Sequence, residues 1–136
     1  MNETIVCAKT IILNNNRILL VQRSNDLNVS AGEWEIVGGR LEFGEGPIEC
    51  LVREVKEETG LYINVIQLLY AMSAMLTENK QVIGLTYLSK SVDDLPIILS
   101  SEHQDYKWVD KNELAVVLNN DLLSDFYKHN VFELLP

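Results

Sequence analysis

The segment Gly39–Leu61, GRLEFGEGPIECLVREVKEETGL, constrains this chain more than any other. It opens as a glycine-rich turn and continues as a short helix. Pro47 suits a first helical turn, where its missing N–H has no partner to lose, and Gly60 suits the exit. Ile48, Leu51, Val52 and Val55 recur at helical spacing and predict one apolar face. Glu54, Glu57 and Glu58 are spaced i, i+3 and i+4, which predicts that their carboxylates crowd together on the opposite side.

That crowding carries a cost. Like charges at this spacing destabilise a helix by roughly 0.2–0.5 kcal/mol per pair. Carboxylates in a last turn also oppose the helix dipole. Only Arg53 and Lys56 stand nearby as relief. Two readings meet the pattern: a solvated acidic face, or a site for a hard cation. Mg²⁺ takes oxygen ligands and is typically held by a few carboxylates together with substrate phosphates. Local rules broken in one cluster are where function is expected.

The spacing favours the second reading. Gly39, Glu45, Arg53, Glu54, Val55, Glu57, Glu58, Gly60 and Leu61 match every fixed position of G-x5-E-x7-R-E-U-x-E-E-x-G-U. In this the chain resembles the Nudix (MutT-like) hydrolases. The match covers the middle of the chain, and the flanking sequence has the length and pattern of one such domain spanning 1–136. The resemblance implies an α/β fold, a Nudix α/β/α sandwich with a mixed β-sheet between helices. It also implies hydrolysis within the polyphosphate of a nucleoside diphosphate linked to another group, with water as nucleophile.

Composition agrees with one globular unit. The chain has 136 residues, 47% hydrophobic and 23% charged. Its net charge of −9 argues against a nucleic-acid polymer or an anionic membrane as partner. A small anionic nucleotide then needs a bound divalent ion to supply local positive charge. Cys7 and Cys50 stand alone and read as free thiols of a reducing cytoplasm. The N-terminal residues lack a signal-peptide pattern and no apolar run approaches membrane-spanning length, so a cytoplasmic location is expected. An exposed sheet edge or apolar patch would support a homodimer, which the sequence leaves open.

Elsewhere, Thr4–Leu13 and Arg17–Arg23 read as a hairpin turned at Asn14-Asn15-Asn16. Ser24–Gly32 reads as a surface loop. Trp34–Val37 is a short strand leading into Gly38-Gly39, where the backbone can approach a ligand closely. Many family members carry proline before this glycine pair, and Val37 stands here instead. Leu61–Met75 and Gln81–Lys90 read as paired strands, and Ser91–Ser101 as a loop with a short strand at Ile97–Leu99. Tyr106–Val109 reads as a last strand, followed by a helix capped by Asp110 and Glu113. A final helix is expected, capped by Asn120 or Asp121, with Leu122, Leu123, Phe126, Tyr127 and Val131 at core spacing.

The resemblance assigns Glu57 and Glu58 as metal ligands, Glu54 as ligand or general base, and the Gly39 carbonyl as a further ligand, with Mg²⁺ or Mn²⁺ as the ion. It gives Arg53 the task of orienting Glu54. Glu45 sits where a helix N-terminus favours negative charge, and pairs with Arg53 or reaches metal or substrate. Outside the motif, Glu102 resembles the loop glutamate that serves as ligand or base in several Nudix groups. His103 reads as a surface histidine. Arg23 is a candidate for pairing with a phosphate, and Trp34 for stacking on a base. The sequence around Leu76–Leu85 lacks the proline or tyrosine that the ADP-ribose and dinucleotide groups tend to carry. A nucleoside triphosphate pyrophosphohydrolase is therefore favoured. Pyrophosphatases of ADP-ribose or other nucleotide sugars, and a non-catalytic nucleotide-sensing module, are the alternatives. The intact Arg53-Glu54-Glu57-Glu58 set speaks against the sensor.

Overall fold

The structure is a computed structural model that describes residues 1–92 and 94–136. Its strands are β1 (Glu3–Asn14), β2 (Arg17–Arg23), β3 (Trp34–Glu35), β4 (Val37–Arg40), β5 (Ile63–Thr77), β6 (Lys80–Ser91) and β7 (His103–Val109). Its helices are α1 (Pro47–Thr59), α2 (Lys111–Val117), α3 (Asn120–Lys128) and α4 (Val131–Leu134). The seven strands form one sheet with the path β3-β2-β1-β6-β5, to which β4 adds beside β1 and β7 beside β2. β1 and β6 run parallel and the other pairs antiparallel, so the sheet is mixed as expected.

The first hairpin turns at Asn15 and Asn16, both in the left-handed region (φ 50° and 63°), a backbone that suits the right-handed twist of its strands. β1 and β2 pair only next to that turn, at Leu13 with Ile18 and Asn14 with Arg17. They then part. β1 takes β4 across Cys7–Thr10, while β2 takes β3 on one side and β7 on the other. The parting brings Gly38 and Gly39 opposite Lys9 and Ala8. Gly38 is required there: its φ is +152°, and a Cβ would collide with the Ala8 carbonyl.

Alternation along β1 separates two layers. Ala8 and Ile12 pack with Leu19, Val21, Val37 and Tyr87 beneath Cys50, Leu51 and Val55 of α1. Ile11 faces the other way, with Ile18, Leu20, Tyr70 and Leu88 against Leu114, Phe126 and Val131 of the C-terminal helices. Helices thus cover both faces, the α/β/α arrangement.

Four local expectations need correction. The apolar stripe of α1 is Leu51 and Val55 joined by Cys50, whereas Ile48 and Val52 are exposed. No strand forms at Ile97–Leu99. Instead the amides of Ile98 and Ser100 donate to the carbonyls of Thr59 and Glu58, groups freed by the end of α1. Asp93, read as part of the same loop, lies outside the described residues. The cap of α3 is Asn119, whose side chain accepts from the Leu122 amide. α3 ends at Lys128 with Tyr127 exposed, and Val131 reaches the core from the separate α4. Asp110 caps α2 as expected, accepting from the Glu113 amide at 2.8 Å.

Candidate active site

α1 projects Glu54 and Glu58 toward the Gly38–Gly39 turn of β4. Gly46 is its N-cap, Pro47 opens it, and Gly60 closes it in the left-handed conformation (φ 78°), donating to the Lys56 carbonyl. The carboxylates do not share one solvated side. Glu58 lies seven residues after Leu51 and three after Val55, so helical geometry places it on the buried stripe, 4% exposed. Its Oε2 accepts from the Gly38 amide at 3.2 Å. Glu54 is half-buried at the edge of the stripe, and Glu57 is exposed.

Arg53 gathers the rest. Its Nε and Nη2 hold both oxygens of Glu45 at 2.7 and 2.9 Å, a bidentate pair. Nη1 donates to Glu54 Oε1 at 2.9 Å and Glu57 Oε2 at 3.2 Å, and Nη2 also reaches the Arg40 carbonyl at 3.2 Å. Of the partners expected for Glu45, the structure shows Arg53, and the Glu42 amide donates to the same carboxylate at 3.1 Å. This arginine hydrogen bond, the main influence, holds the Glu45 carboxyl down to about 2 and raises Arg53 in turn.

Burial acts in the opposite direction on the two inner acids, Glu58 and Glu54, and raises both. It pushes Glu58 up to about 8, against the attraction of Lys9 and with help from the charges of Glu54 and Glu102. Burial also raises Glu54, and the neighbouring charges of Glu57 and Glu102 add to it against the pull of Arg53. Gly39 adjoins them: a Cβ there would lie 2.5 Å from Glu54 Cδ. Its carbonyl accepts weakly from Cys50 Sγ at 3.6 Å. Among the described residues no three His, Cys, Asp or Glu side chains converge as a formed metal site. Glu57 leans to Arg53 and Glu58 to the Gly38 amide instead.

A NUDIX domain family model matches residues 4–129. The chain belongs to the Nudix family. It is 31% identical over 127 residues to nucleoside triphosphatase NudI of Escherichia coli (strain K12 / DH10B), covering 83% of this chain and 85% of that protein. It is 35% identical over 97 residues to an octanoyltransferase of Myxococcus xanthus, of whose length the match spans only 26%. Its fold superposes on the MutT protein of Methanosarcina mazei Go1 with a TM-score of 0.79 at 29% identity, covering 95% of this chain and 96% of that one.

A cavity of about 310 Å³ opens between the sheet and the C-terminal helices. Cys7, Lys9, Ile36, Tyr70 and Met72 form much of its wall, and Asn119, Asp121 and Asp125 of the C-terminal helices line it as well. Lys9 was not singled out by sequence, yet it faces the cavity, lies 3.7 Å from Glu35 and acts electrostatically on Glu58. A lone charge inside the apolar run of β1 was the signal. Glu35 is the second such residue. It takes His103 Nε2 at 2.9 Å and Arg23 Nη1 at 3.6 Å.

His103 is therefore not a surface histidine: its side chain is 1% exposed. It pins the turn that carries Glu102, whose carbonyl also accepts from the Ser24 amide at 2.9 Å. Glu102 itself is exposed, and near enough to α1 for its charge to raise Glu54 and Glu58. Arg23 is held by Glu35 and by the Val29 carbonyl at 3.1 Å. Trp34 is half-buried against the core, with Lys107 Nζ 4.4 Å from its ring centroid. Neither residue is among those lining the cavity.

Proposed function

We propose that this Nudix protein is a Mg²⁺- or Mn²⁺-dependent hydrolase of a phosphoanhydride bond in a nucleotide, with nucleoside triphosphates as the first substrate class. The observation that carries the reading is Glu58, an acid buried beside Glu54 and the Gly38–Gly39 turn. A buried carboxyl whose proton affinity is raised by burial and neighbouring acids has the chemistry of an oxygen donor set for a divalent ion. Glu54, Glu57, Glu58 and the Gly39 carbonyl would hold the ion, with Glu102 joining from its turn. When bound, such an ion neutralises charge on phosphoryl oxygens and lowers the pKa of water.

The protein's own groups do the rest. Glu54, whose carboxyl burial raises above its ordinary value, would accept a proton from the attacking water, and Glu102 is the other candidate base. Arg53 orients Glu54 and Glu57, and Glu45 holds Arg53 from below, so Glu45 is assigned as a positioning residue. The cavity, mostly apolar with a few convergent polar groups, is suited to the non-phosphate part of a nucleotide. Arg23 and Trp34 would act on substrate only after leaving the partners that hold them. The name of the relative NudI, a nucleoside triphosphatase, supports a triphosphate over a nucleotide sugar. The reading takes 1–136 as one domain working in a reducing cytoplasm, in keeping with free Cys7 and Cys50. Among the described residues no helix is long and apolar enough to cross a membrane.

Glu57→Gln tests it. Because Glu57 is exposed, the variant should melt like wild type while turnover falls by orders of magnitude. Unchanged turnover with saturating Mg²⁺ would remove the carboxylate cluster from the chemistry.

A further inference from the structure

β5 is an open edge of the sheet. It pairs with β6 and, among the described residues, with no other strand. Long edges invite pairing with another chain, and proteins blunt them with charges, prolines, short length or bulges. β5 uses only bulges. It runs for 15 residues without proline, and no charged residue occurs from Thr59 to Thr77. Irregularities fall at Val65/Gln67, Leu68/Tyr70 and Met75/Thr77. Between the last two, Tyr70–Met75 keeps unbroken one-to-one register with Gln81–Thr86. The guarded stretches thus flank an unguarded one. Within it Ala71, Ser73, Ala74 and Met75 are exposed, and three of the four are small enough to admit another backbone at the usual ~4.8 Å ladder spacing.

We infer that Tyr70–Met75 pairs antiparallel with the same segment of a second copy, joining two sheets across a two-fold axis. Charge selects this occupant. Two copies at −9 each repel over most of their surface, and a two-fold contact sets a segment against itself, where opposed like charges are destabilising. On β5 no register brings two like charges together. A basic partner, by contrast, would gain nothing from an uncharged edge. Exposed Leu68 and Leu76, at the two ends of the segment, add apolar area to the contact. Tyr70 and Met72 also wall the cavity, so each copy would brace its neighbour's cavity wall.

Sedimentation equilibrium at micromolar concentration tests the inference. Wild type should show twice the chain mass, and Ala71→Lys and Ser73→Lys should each show the single-chain mass while still melting cooperatively, at a temperature lowered by the lost association. Each lysine reduces the net negative charge and so would favour association if repulsion alone governed it. Val116→Lys, on an exposed position of α2, should keep the doubled mass. A monomeric wild type, or a folded Ser73→Lys protein of doubled mass, would overturn the inference. Should the lysine variants not fold, hydrogen exchange on wild type decides. Protection of the Tyr70–Met75 amides should rise with protein concentration, and concentration-independent exchange would overturn it.

Discussion

Gly39 and the carboxyl group of Glu54 occupy adjoining space with no room for a side chain between them. A Cβ on Gly39 would lie 2.5 Å from Glu54 Cδ and 2.7 Å from each of its oxygens. Gly39→Ala should therefore push Glu54 aside, lowering turnover about 10–100-fold, the scale seen when a group orienting a ligand is disturbed. Glu54 is the end of a flexible side chain, so the melting temperature should barely change. Steady-state kinetics beside a thermal melt separates the two. A fold that collapses would show that the glycine serves the backbone alone.

Arg53 holds Glu45 with two donors and Glu54 and Glu57 with a third. Lysine keeps the charge but loses the fork. Arg53→Lys should lower kcat about 10–100-fold, and Glu45→Gln should lower it less, because Arg53 retains its other partners. Neither residue is placed against substrate, so KM for the nucleotide should stay near wild type. A rise in KM without a change in kcat would instead put Arg53 on the substrate.

Glu58 is held near 8 in the fold by burial, above its ordinary value of 4.5. The folded chain therefore binds this proton more tightly than the unfolded one. Its contribution to stability is complete below about pH 4.5 and is lost as pH rises toward 8, by at most ~1.4 kcal/mol per pH unit. With chelator present, wild type should lose stability across that window, and Glu58→Gln should flatten the curve. Denaturant titrations at several pH values would show it. A parallel slope in both proteins would contradict the assignment.

Glu35 behaves oppositely. Burial, the largest single influence, pushes its carboxyl up, but the hydrogen bond from His103 and the charges of Lys9 and Arg23 together hold it below its usual value. Its stabilising effect should be present above about pH 4.5 and fade as the medium becomes more acid. Glu35→Gln should cost about 1–3 kcal/mol at neutral pH, the range for disturbing a buried polar partner. The gap to wild type should narrow in acid. Equal stability at neutral pH would mean the Glu35–His103 contact is idle.

Much of this fold and site is legible in the amino-acid sequence. The extent of α1, its Pro47 and Gly60 ends and the Asn15–Asn16 turn are set by local backbone chemistry, and the structure agrees with them. What failed depended on tertiary placement. Helical spacing alone cannot say which of Ile48, Val52 and Cys50 meets the sheet, nor that Glu58 shares the stripe of Leu51 and Val55. Ile97–Leu99 looks like a strand by composition, but its neighbourhood is drawn to the free carbonyls of α1. His103 has no local mark of burial. Its partner Glu35 is 68 residues away in the chain and becomes adjacent only through the pairing of β2 with both β3 and β7.

Metal-dependent hydrolysis at the α1 carboxylates can be read out in a single assay. Phosphate-product release is followed across nucleoside triphosphates, sugar nucleotides and dinucleotides, with Mg²⁺ and then with chelator. The expected result is cleavage of a few related compounds, triphosphates foremost, that chelator abolishes and Mg²⁺ restores. Cleavage indifferent to chelator would contradict the account, as would silence across the panel while ligands still raise the melting temperature.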